Sequence, residues 1–246
     1  MVSSKKLNIV LDIGKTNVKL TFVDSFNNKT IKFFKTKQKN IYRHGIKILN
    51  SNSIFEWALK KITYIGRKHN LDKFVCTAHG TSIALISYDD KELLACTDYE
   101  YKFDKLFNNY KKIAPKFSES FSPFLENGLN IGQQIYYLYK RKQKLIKETK
   151  YILNYPQYVV WKLTSSFSSE ISYVGCHTHL WDFKRNKLSS FVKKIKLEKK
   201  FPQIRKAWDT IGQKQIGKSN LKIINGIHDS NASYLYFKNS DIKNFT

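Results

Sequence analysis

A glycine turn between two strands near the N-terminus is the feature that most restricts how this chain folds. The run Leu7-Asn-Ile-Val-Leu11 is apolar and Val18-Lys-Leu-Thr-Phe-Val23 alternates. Between them lies Asp12-Ile-Gly-Lys-Thr-Asn17, the pattern of a tight β-hairpin. Backbone N–H groups gathered around a glycine, with an acid at the end of the first strand, suit a phosphate group and its magnesium ion. Near the other end, Leu221–Asn225 reads as a core strand leading into Gly226-Ile-His-Asp229, just ahead of a small-residue helix start. That places a second carboxylate at a strand end, beside the same cleft. Gly14-Lys15-Thr16 also invites comparison with the Walker A loop. Such a loop needs a glycine where Ile9 stands and a helix after the Lys-Thr pair; a strand follows here, so the comparison fails.

The order of elements extends this picture. The strands Leu7–Asp12 and Val18–Asp24 continue, after the turn Ser25-Phe-Asn-Asn28, into Thr30–Lys35. Helical spacing of Ile54, Trp57, Ala58, Ile62 and Ile65 predicts a helix over residues 53 to 69, with Ser53 as N-cap and Glu56 at the capping-box position. A strand Lys73–Thr77 follows, then Ala78-His-Gly80, then an alternating strand Ile83–Tyr88 turned by Asp89-Asp90. Three antiparallel strands, a helix and a strand are the start of an actin-like, ribonuclease-H-like α/β domain. Residues 100 to 128 are aromatic and polar without a period and read as a substrate-side insertion. A helix is expected over Ile131–Glu148 and another over Gln157–Leu163 behind Pro156, with loop from 165 to 188 and a helix from Ala232 to Phe237. The expected division is a single domain, 1–246, with a core at 7–98 and 221–240 and an insertion at roughly 99–215.

Composition narrows the partners. With 246 residues, 41% of them hydrophobic, the chain has enough apolar material for a proper core. Its formal charge of +25 invites a nucleic-acid or membrane reading. The lysines are scattered, however: Lys35 to Lys39, Lys111-Lys112, Lys140 to Lys144, Lys193 to Lys200, Lys214 and Lys218 lie in different segments. The charge therefore reads as compositional drift on a solvated surface, and no nucleic-acid partner is expected. Cys76, Cys96 and Cys176 are widely spaced and form no Cys-x-x-Cys pair, which suggests neither a disulfide framework nor a zinc site and fits a reducing, cytoplasmic setting. No segment approaches the ~20 apolar residues of a membrane span.

Taken together, the segments resemble a family. Asp12-Ile-Gly-Lys-Thr-Asn-Val-Lys19, Ala78-His-Gly-Thr81, Asp98-Tyr-Glu100, Gly128-Leu-Asn-Ile-Gly132, Tyr155-Pro-Gln-Tyr158 with Leu163-Thr164, Glu170 through Gly175-Cys-His-Thr-His-Leu-Trp-Asp182, and Gly226 to Ser233 occur in one order along nearly the whole chain. They resemble the N-terminal domain of the FGGY carbohydrate kinases, in particular bacterial members related to fuculokinases and rhamnulokinases. The resemblance implies an α/β, ribonuclease-H-like (actin/hexokinase-like ATPase) domain with a mixed sheet and helical insertions. It also implies magnesium-ATP as cofactor and the hydroxyl of a keto-sugar or polyol as acceptor. Asp229 then matches the catalytic carboxylate and a magnesium contact, and Asp12 the acid that orients magnesium through water. Gly14, Lys15, Thr16 and Asn17 match the phosphate hairpin. Lys19 either neutralises transferred charge or is simply solvated. His79 with Gly80 matches a sugar-contacting position and His228 neighbours the base, imidazoles being able to donate to and accept from hydroxyls. The plainer reading of each is a histidine satisfied within the domain. Cys176-His-Thr-His179, tempting as a metal site, reads better as a loop packing Trp181.

Departures from the family pattern set further expectations. Ser165 follows Leu163-Thr164 where the family usually turns on glycine, and Gly212 to Leu221 is shorter than in relatives, which could loosen the approach to Asp229. Family members are roughly twice this length, their second domain holding the adenosine, whereas this chain stops at Phe245-Thr246. The expectation is therefore a half-kinase inactive alone, with a small-molecule sugar as substrate and a separate C-terminal half as candidate partner. A rival of another class is a ribonuclease-H-like nuclease holding two metals on Asp12, Glu56 and Asp229. It explains the charge but not Lys15-Thr-Asn17, and metal-dependent DNA cleavage would separate it. A third reading, a non-catalytic sugar-binding remnant, fits poorly with an intact phosphate hairpin.

Overall fold

The structure, a computed structural model, describes residues 6–103 and 106–238. Strands β1 (Lys6–Ile13), β2 (Asn17–Asp24) and β3 (Thr30–Lys37) are followed by a hairpin of β4 (Asn40–Arg43) and β5 (Ile46–Leu49), helix α1 (Ser51–Gly66) and strand β6 (Asn70–Ala78). Next come β7 (Ile83–Ser87), β8 (Glu92–Leu94), the short helices α2 (Phe107–Lys111) and α3 (Phe117–Ser120), α4 (Ile131–Arg141), α5 (Gln143–Glu148), β9 (Thr149–Asn154) and α6 (Tyr155–Thr164). The chain ends its described part with α7 (Ile171–Gly175), β10 (Trp181–Asp182), β11 (Lys187–Leu188), α8 (Ser190–Lys194), β12 (Thr210–Ile216), β13 (Ser219–Ile224), β14 (Ile227–His228) and α9 (Asp229–Lys238). Phe245-Thr246 and positions 239–240 of the expected core lie outside the described residues.

The main sheet has seven strands in the order β12-β13-β6-β1-β2-β3, with β14 on the end of β6. β1 runs antiparallel to β2 and parallel to β6, so the sheet is mixed. Alternation along β1 and β2 turns Leu7, Ile9, Leu11, Ile13, Val18, Leu20 and Phe22 to one face, where all are buried. Ile54, Ala58 and Ile62 of α1 and Val159 and Leu163 of α6 close over that face. Val10, Asp12, Lys19, Thr21 and Thr77 project from the other face, which no long helix covers among the described residues. A second sheet, β8-β7-β9, extends the fold beyond β6.

Several expectations need correction. Helix α1 starts at Ser51, because the Asn50 side chain, not that of Ser53, takes the first-turn amide: its Oδ1 accepts from Ser53 N at 3.3 Å. The single helix expected over Ile131–Glu148 breaks at Lys142, whose backbone leaves the helical region (φ −133°, ψ 48°). The break redirects Leu145 and Ile146 into the core as the chain turns into β9. Inside the expected loop 165–188, the Glu170 carboxylate caps α7 by accepting from Ser172 N at 3.0 Å and Tyr173 N at 3.2 Å. The stretch from Gly212 to Leu221 is the tight hairpin of β12 and β13, turning at Gly217 with φ +56°. β12 belongs to the main sheet, so we propose that the core comprises 6–78 and 210–238 and the substrate-side part 79–209.

Gly226 shows how closely this architecture is drawn. Its φ is +85°, and a Cβ there would lie 2.4 Å from the Cys76 carbonyl oxygen and 3.1 Å from Pro156. Only glycine allows the chain to leave β13 and re-enter the sheet as β14. Beside it, Asn225 is fully buried and donates through Nδ2 to the carbonyls of Ser169 (3.2 Å) and Arg205 (3.1 Å), while its own carbonyl accepts from Gln157 Nε2 at 2.8 Å. Gly226→Ala should destabilise the fold by at least about 2 kcal/mol through backbone strain and the contact with Cys76. Urea unfolding measures this, and an unchanged midpoint would contradict the geometry.

Candidate active site

Asp12 ends β1, opposite Lys19 on β2 and Thr77 on β6. On the other edge of β6, Ile227 pairs with Thr77 and His228 with Ala78, so Asp229 emerges at the same end of the sheet. The result is a cavity of about 310 Å³ lined by both carboxylates, Lys19, Thr77 and the α9 residues Ala232 and Ser233. Asp12 faces open solvent in the cavity, yet crowding by protein is the largest influence on its carboxyl, pushing it above the ordinary value; repulsion from Asp229 adds to this and Lys19 opposes it. Asp229 is the first residue of α9 and accepts from the Ser230 N–H at 2.6 Å.

The histidines are held differently. His228 is buried against the edge of the Tyr173 ring, with its Nδ1 2.9 Å from Asn231 Oδ1 and its Nε2 3.5 Å from Asp229 Oδ1. An amide oxygen only accepts, so Nδ1 carries a proton. Gly80 is required beside it, because a Cβ there would sit 2.6 Å from His228 Nε2. The Gly80 carbonyl in turn accepts from His79 Nδ1 at 2.9 Å, which leaves His79 Nε2 buried between the rings of Tyr99 and Tyr155 and without a partner among the described residues. Burial lowers the basicity of His79, outweighing the hydrogen bond to Gly80. A neutral ring with an unused acceptor suits a hydroxyl donor. The Tyr173 hydroxyl donates to the His79 carbonyl at 2.7 Å and accepts from Ser82 N at 3.2 Å, pinning this corner to α7.

Lys15 departs from the expected role. Its ammonium does not face the cavity of Asp12 and Asp229 but bonds the buried Asp98 carboxylate, with Glu100 at 3.4 Å and the Tyr99 ring centroid at 4.5 Å. Lys47 joins the same group at 3.0 Å from Asp98 and 3.6 Å from Glu100. Burial raises the Asp98 carboxyl, but the hydrogen bonds from Lys15, the Glu100 N–H and Lys47 outweigh it and hold the group below the usual carboxylate range. A buried acid in reach of two cations attracts them more strongly than an exposed hairpin tip can. Gly14, Thr16 and Asn17 do form that tip: Gly14 N donates to Asn17 O at 3.0 Å, and Thr16 O accepts from Gln38 N at 2.8 Å.

Other candidates fall away from the cleft. Glu56 is exposed on α1, which packs on the far face of the sheet, so the three carboxylates of the nuclease reading do not meet. Among the described residues no group of three or more His, Cys, Asp or Glu side chains could hold a metal ion. His179 is buried, with Nδ1 2.8 Å from the Tyr110 hydroxyl and Nε2 2.9 Å from the Ser122 carbonyl, and Trp181 is buried nearby in sequence, as the structural-loop reading expects. Lys47, Tyr99, Tyr155 and Tyr173 were missed as candidates; the resemblance quoted the segments of the three tyrosines without assigning them roles, and Lys47 carried no signal at all. Among the described residues no helix is long and apolar enough to cross a membrane.

Two measurements check this electrostatic picture. Asp12 is held as an anion against crowding and a like charge, so its ionisation costs stability once the pH rises through and above the ordinary carboxylate value of about 4. Asp12→Asn should therefore melt at a higher temperature than the parent at pH 7, the gap closing in more acid solution; equal melting at pH 7 would refute the crowding. For His79, neutral-ring stabilisation is complete above about 6.5 and is withdrawn as the pH falls. Its imidazole NMR signals should titrate below that ordinary value.

No family model matches the chain, nor does any curated protein by sequence. Solved structures do match. A carbohydrate kinase from Novosphingobium aromaticivorans shares 28% identity at a TM-score of 0.88, over 94% of this chain and 50% of that one. A ligand-bound xylulose kinase from Lactobacillus acidophilus shares 17% identity at 0.80 (95% and 50%), and a glycerol kinase with ADP from Plasmodium falciparum shares 14% at 0.74 (93% and 50%). This chain thus spans about half the length of each. It has the actin/hexokinase-like fold of these sugar kinases and resembles the N-terminal domain of the FGGY carbohydrate kinases.

Proposed function

We propose that the chain is the N-terminal half of a carbohydrate kinase that transfers the γ-phosphate of ATP to a hydroxyl of a keto-sugar or polyol. The observation that carries this reading is the meeting of Asp12, Lys19 and Asp229 in one cavity, from opposite ends of the chain. In this reading the Asp229 carboxylate accepts the proton of the attacking hydroxyl as its oxygen bonds the γ-phosphorus and the bond to the ADP oxygen breaks. Two carboxylates lining one cavity, Asp12 and Asp229, supply oxygen donors of the kind a hard cation takes, which supports magnesium there. Asp12, through water, and Asp229 would hold magnesium, which supplies charge neutralisation to the phosphates. The hairpin tip at Gly14, Thr16 and Asn17 offers backbone to the phosphates, and Lys19 offsets charge on the transferred group. On the acceptor side, His79 receives a sugar hydroxyl at Nε2, with Gly80 and His228 shaping the floor. Lys15 braces the substrate-side segment 98–100 instead of reaching phosphate.

The adenosine contacts and the closing wall of the cleft belong, in this proposal, to the half of the matched kinases that this chain does not cover, and a second kinase half is the partner. A cytoplasmic setting suits magnesium-ATP. The nuclease reading loses its support because Glu56 lies on the other face.

The test joins this chain to the second half of the Novosphingobium aromaticivorans kinase and measures ADP release over a panel of keto-sugars and polyols. The isolated chain should turn over none of them, and the joined protein at least one. Asp229→Asn in the joined protein should lower kcat by about 10²–10⁴, the range for a lost general base. Full activity of that variant would remove Asp229 as the base.

A further inference from the structure

The ion group that holds Lys15 is built in two layers. The Asp98 carboxylate is fully buried and binds both ammoniums, Lys15 at Oδ1 and Lys47 at Oδ2. Glu100 is 54% exposed, and one of its oxygens, Oε2, lies 3.4 Å from Lys15 Nζ and 3.6 Å from Lys47 Nζ. Both separations exceed the usual N–H···O range of about 2.7–3.2 Å. Each ammonium carries three N–H donors, and among the described residues no other carboxylate reaches either lysine. The two lysine side chains keep an opening to solvent, at 19% and 25% exposure, where Asp98 has none. Without Glu100 the group is two cations on one anion, with one positive charge in excess.

That charge lies beside the acceptor groups. Lys15 Nζ stands 4.5 Å from the centroid of the Tyr99 ring, and the His79 ring lies 5.6 Å from the same ring, centroid to centroid. Electrostatics agree with this placement: burial lowers the basicity of His79 most, the Lys15 charge lowers it further, and Asp229 and Asp98 raise it. His79 therefore senses both the base and the lysine. A neutral sugar would offer the ammoniums only hydroxyls and leave the Glu100 bridge in place. A carboxylate offers one oxygen to each ammonium, which Glu100 with its single bridging oxygen does not. A phosphate ester would bring about two negative charges to a group with one positive charge to spare.

We propose that the acceptor is a polyhydroxy acid and that Lys15 and Lys47 receive its carboxylate by displacing Glu100, so that these residues set the specificity. Substrate class and the residues that select it are thereby added to the kinase reading above, on which they rest. Glu100 occupies the carboxylate position while the site is free, and it leaves easily because an exposed ion pair contributes little. Asp98 stays beneath and keeps the two ammoniums in place.

Calorimetric titration without ATP reads carboxylate binding apart from catalysis. The probes are matched sets, from the tetrose to the hexose series, of an aldonate, the alditol of the same configuration and the phosphate ester of that alditol. At least one aldonate should bind about tenfold tighter than its alditol, and the advantage should shrink as salt is raised. Alditols that bind as tightly as their acids overturn the proposal, as does the absence of acid binding to the chain both alone and joined to the second kinase half. A phosphate ester that binds tighter than the acid overturns the choice of carboxylate. Glu100→Gln, at an exposed position, should leave melting unchanged and tighten the acid up to about fivefold, which a merely structural Glu100 would not do; equal or weaker binding overturns the displacement. Lys47→Gln keeps a donor for Asp98 but loses the charge, and should erase the preference for acid over alditol, with Lys47→Arg restoring it. Should Lys47→Gln fail to fold, the Glu100→Gln and salt results decide. Acid binding that obeys these variants, with no phosphotransfer to any acid by the joined protein, would remove the kinase reading and leave the carboxylate site standing. Phosphotransfer to neutral sugars in preference to acids would do the reverse.

Discussion

The position of β6 between β1 and the β13–β14 segment is the constraint on which the rest of the structure depends. Parallel pairing on both its edges lines up Asp12, Thr77 and Ile227 at one level of the sheet, so carboxylates from opposite ends of the chain share a cavity. Parallel strands need long crossovers. Here one crossover runs through β2 to β5 and α1, and the other through residues 79–218, which form the remainder of the described fold. Gly226 is where this constraint is tightest, since β14 reaches β6 only by passing within van der Waals range of the Cys76 carbonyl.

The corner around His79 is built by a chain of buried groups, not by the sheet. Glu170 caps α7, Tyr173 ties α7 to the His79 carbonyl, and His79 and Gly80 then present one imidazole and make room for another. The ion group of Lys15, Lys47, Asp98 and Glu100 clamps the hairpin tip to the same region. Removing one partner of such a buried pair costs more than the pair itself contributes, because an uncompensated charge remains. Lys15 thus ties the β1–β2 hairpin to residues 98–100. Opposite this corner, the cleft is bounded by a helix with no buried residue, so burial decreases across the site from α7 to α9.

Much of the fold was legible because it rests on local rules. Alternation in Leu7–Leu11 and Val18–Val23, the helical stripe of α1 and Pro156 at the head of α6 each specify an element by themselves. What escaped were short or polar elements: β4 and β5, β9, β12, α7 and the break at Lys142. Each has few residues or lacks a buried face of its own, and is ordered by partners distant in sequence, as β9 is by β7 and α7 by the bonds of the Tyr173 hydroxyl to His79 and Ser82.

The same division applies to the site. Motif spacing alone named Asp12, the Gly14 turn and Asp229, because strand ends and tight turns leave a local imprint in residue type. Whether those groups face one another depends on which strands pair, and that is decided by burial over the whole sheet. The turning of Lys15 to Asp98 and the burial of His79 Nε2 are likewise tertiary outcomes. A lysine in a motif does not reveal which acid it will meet, since that choice is made by a carboxylate buried by the folding of residues far away.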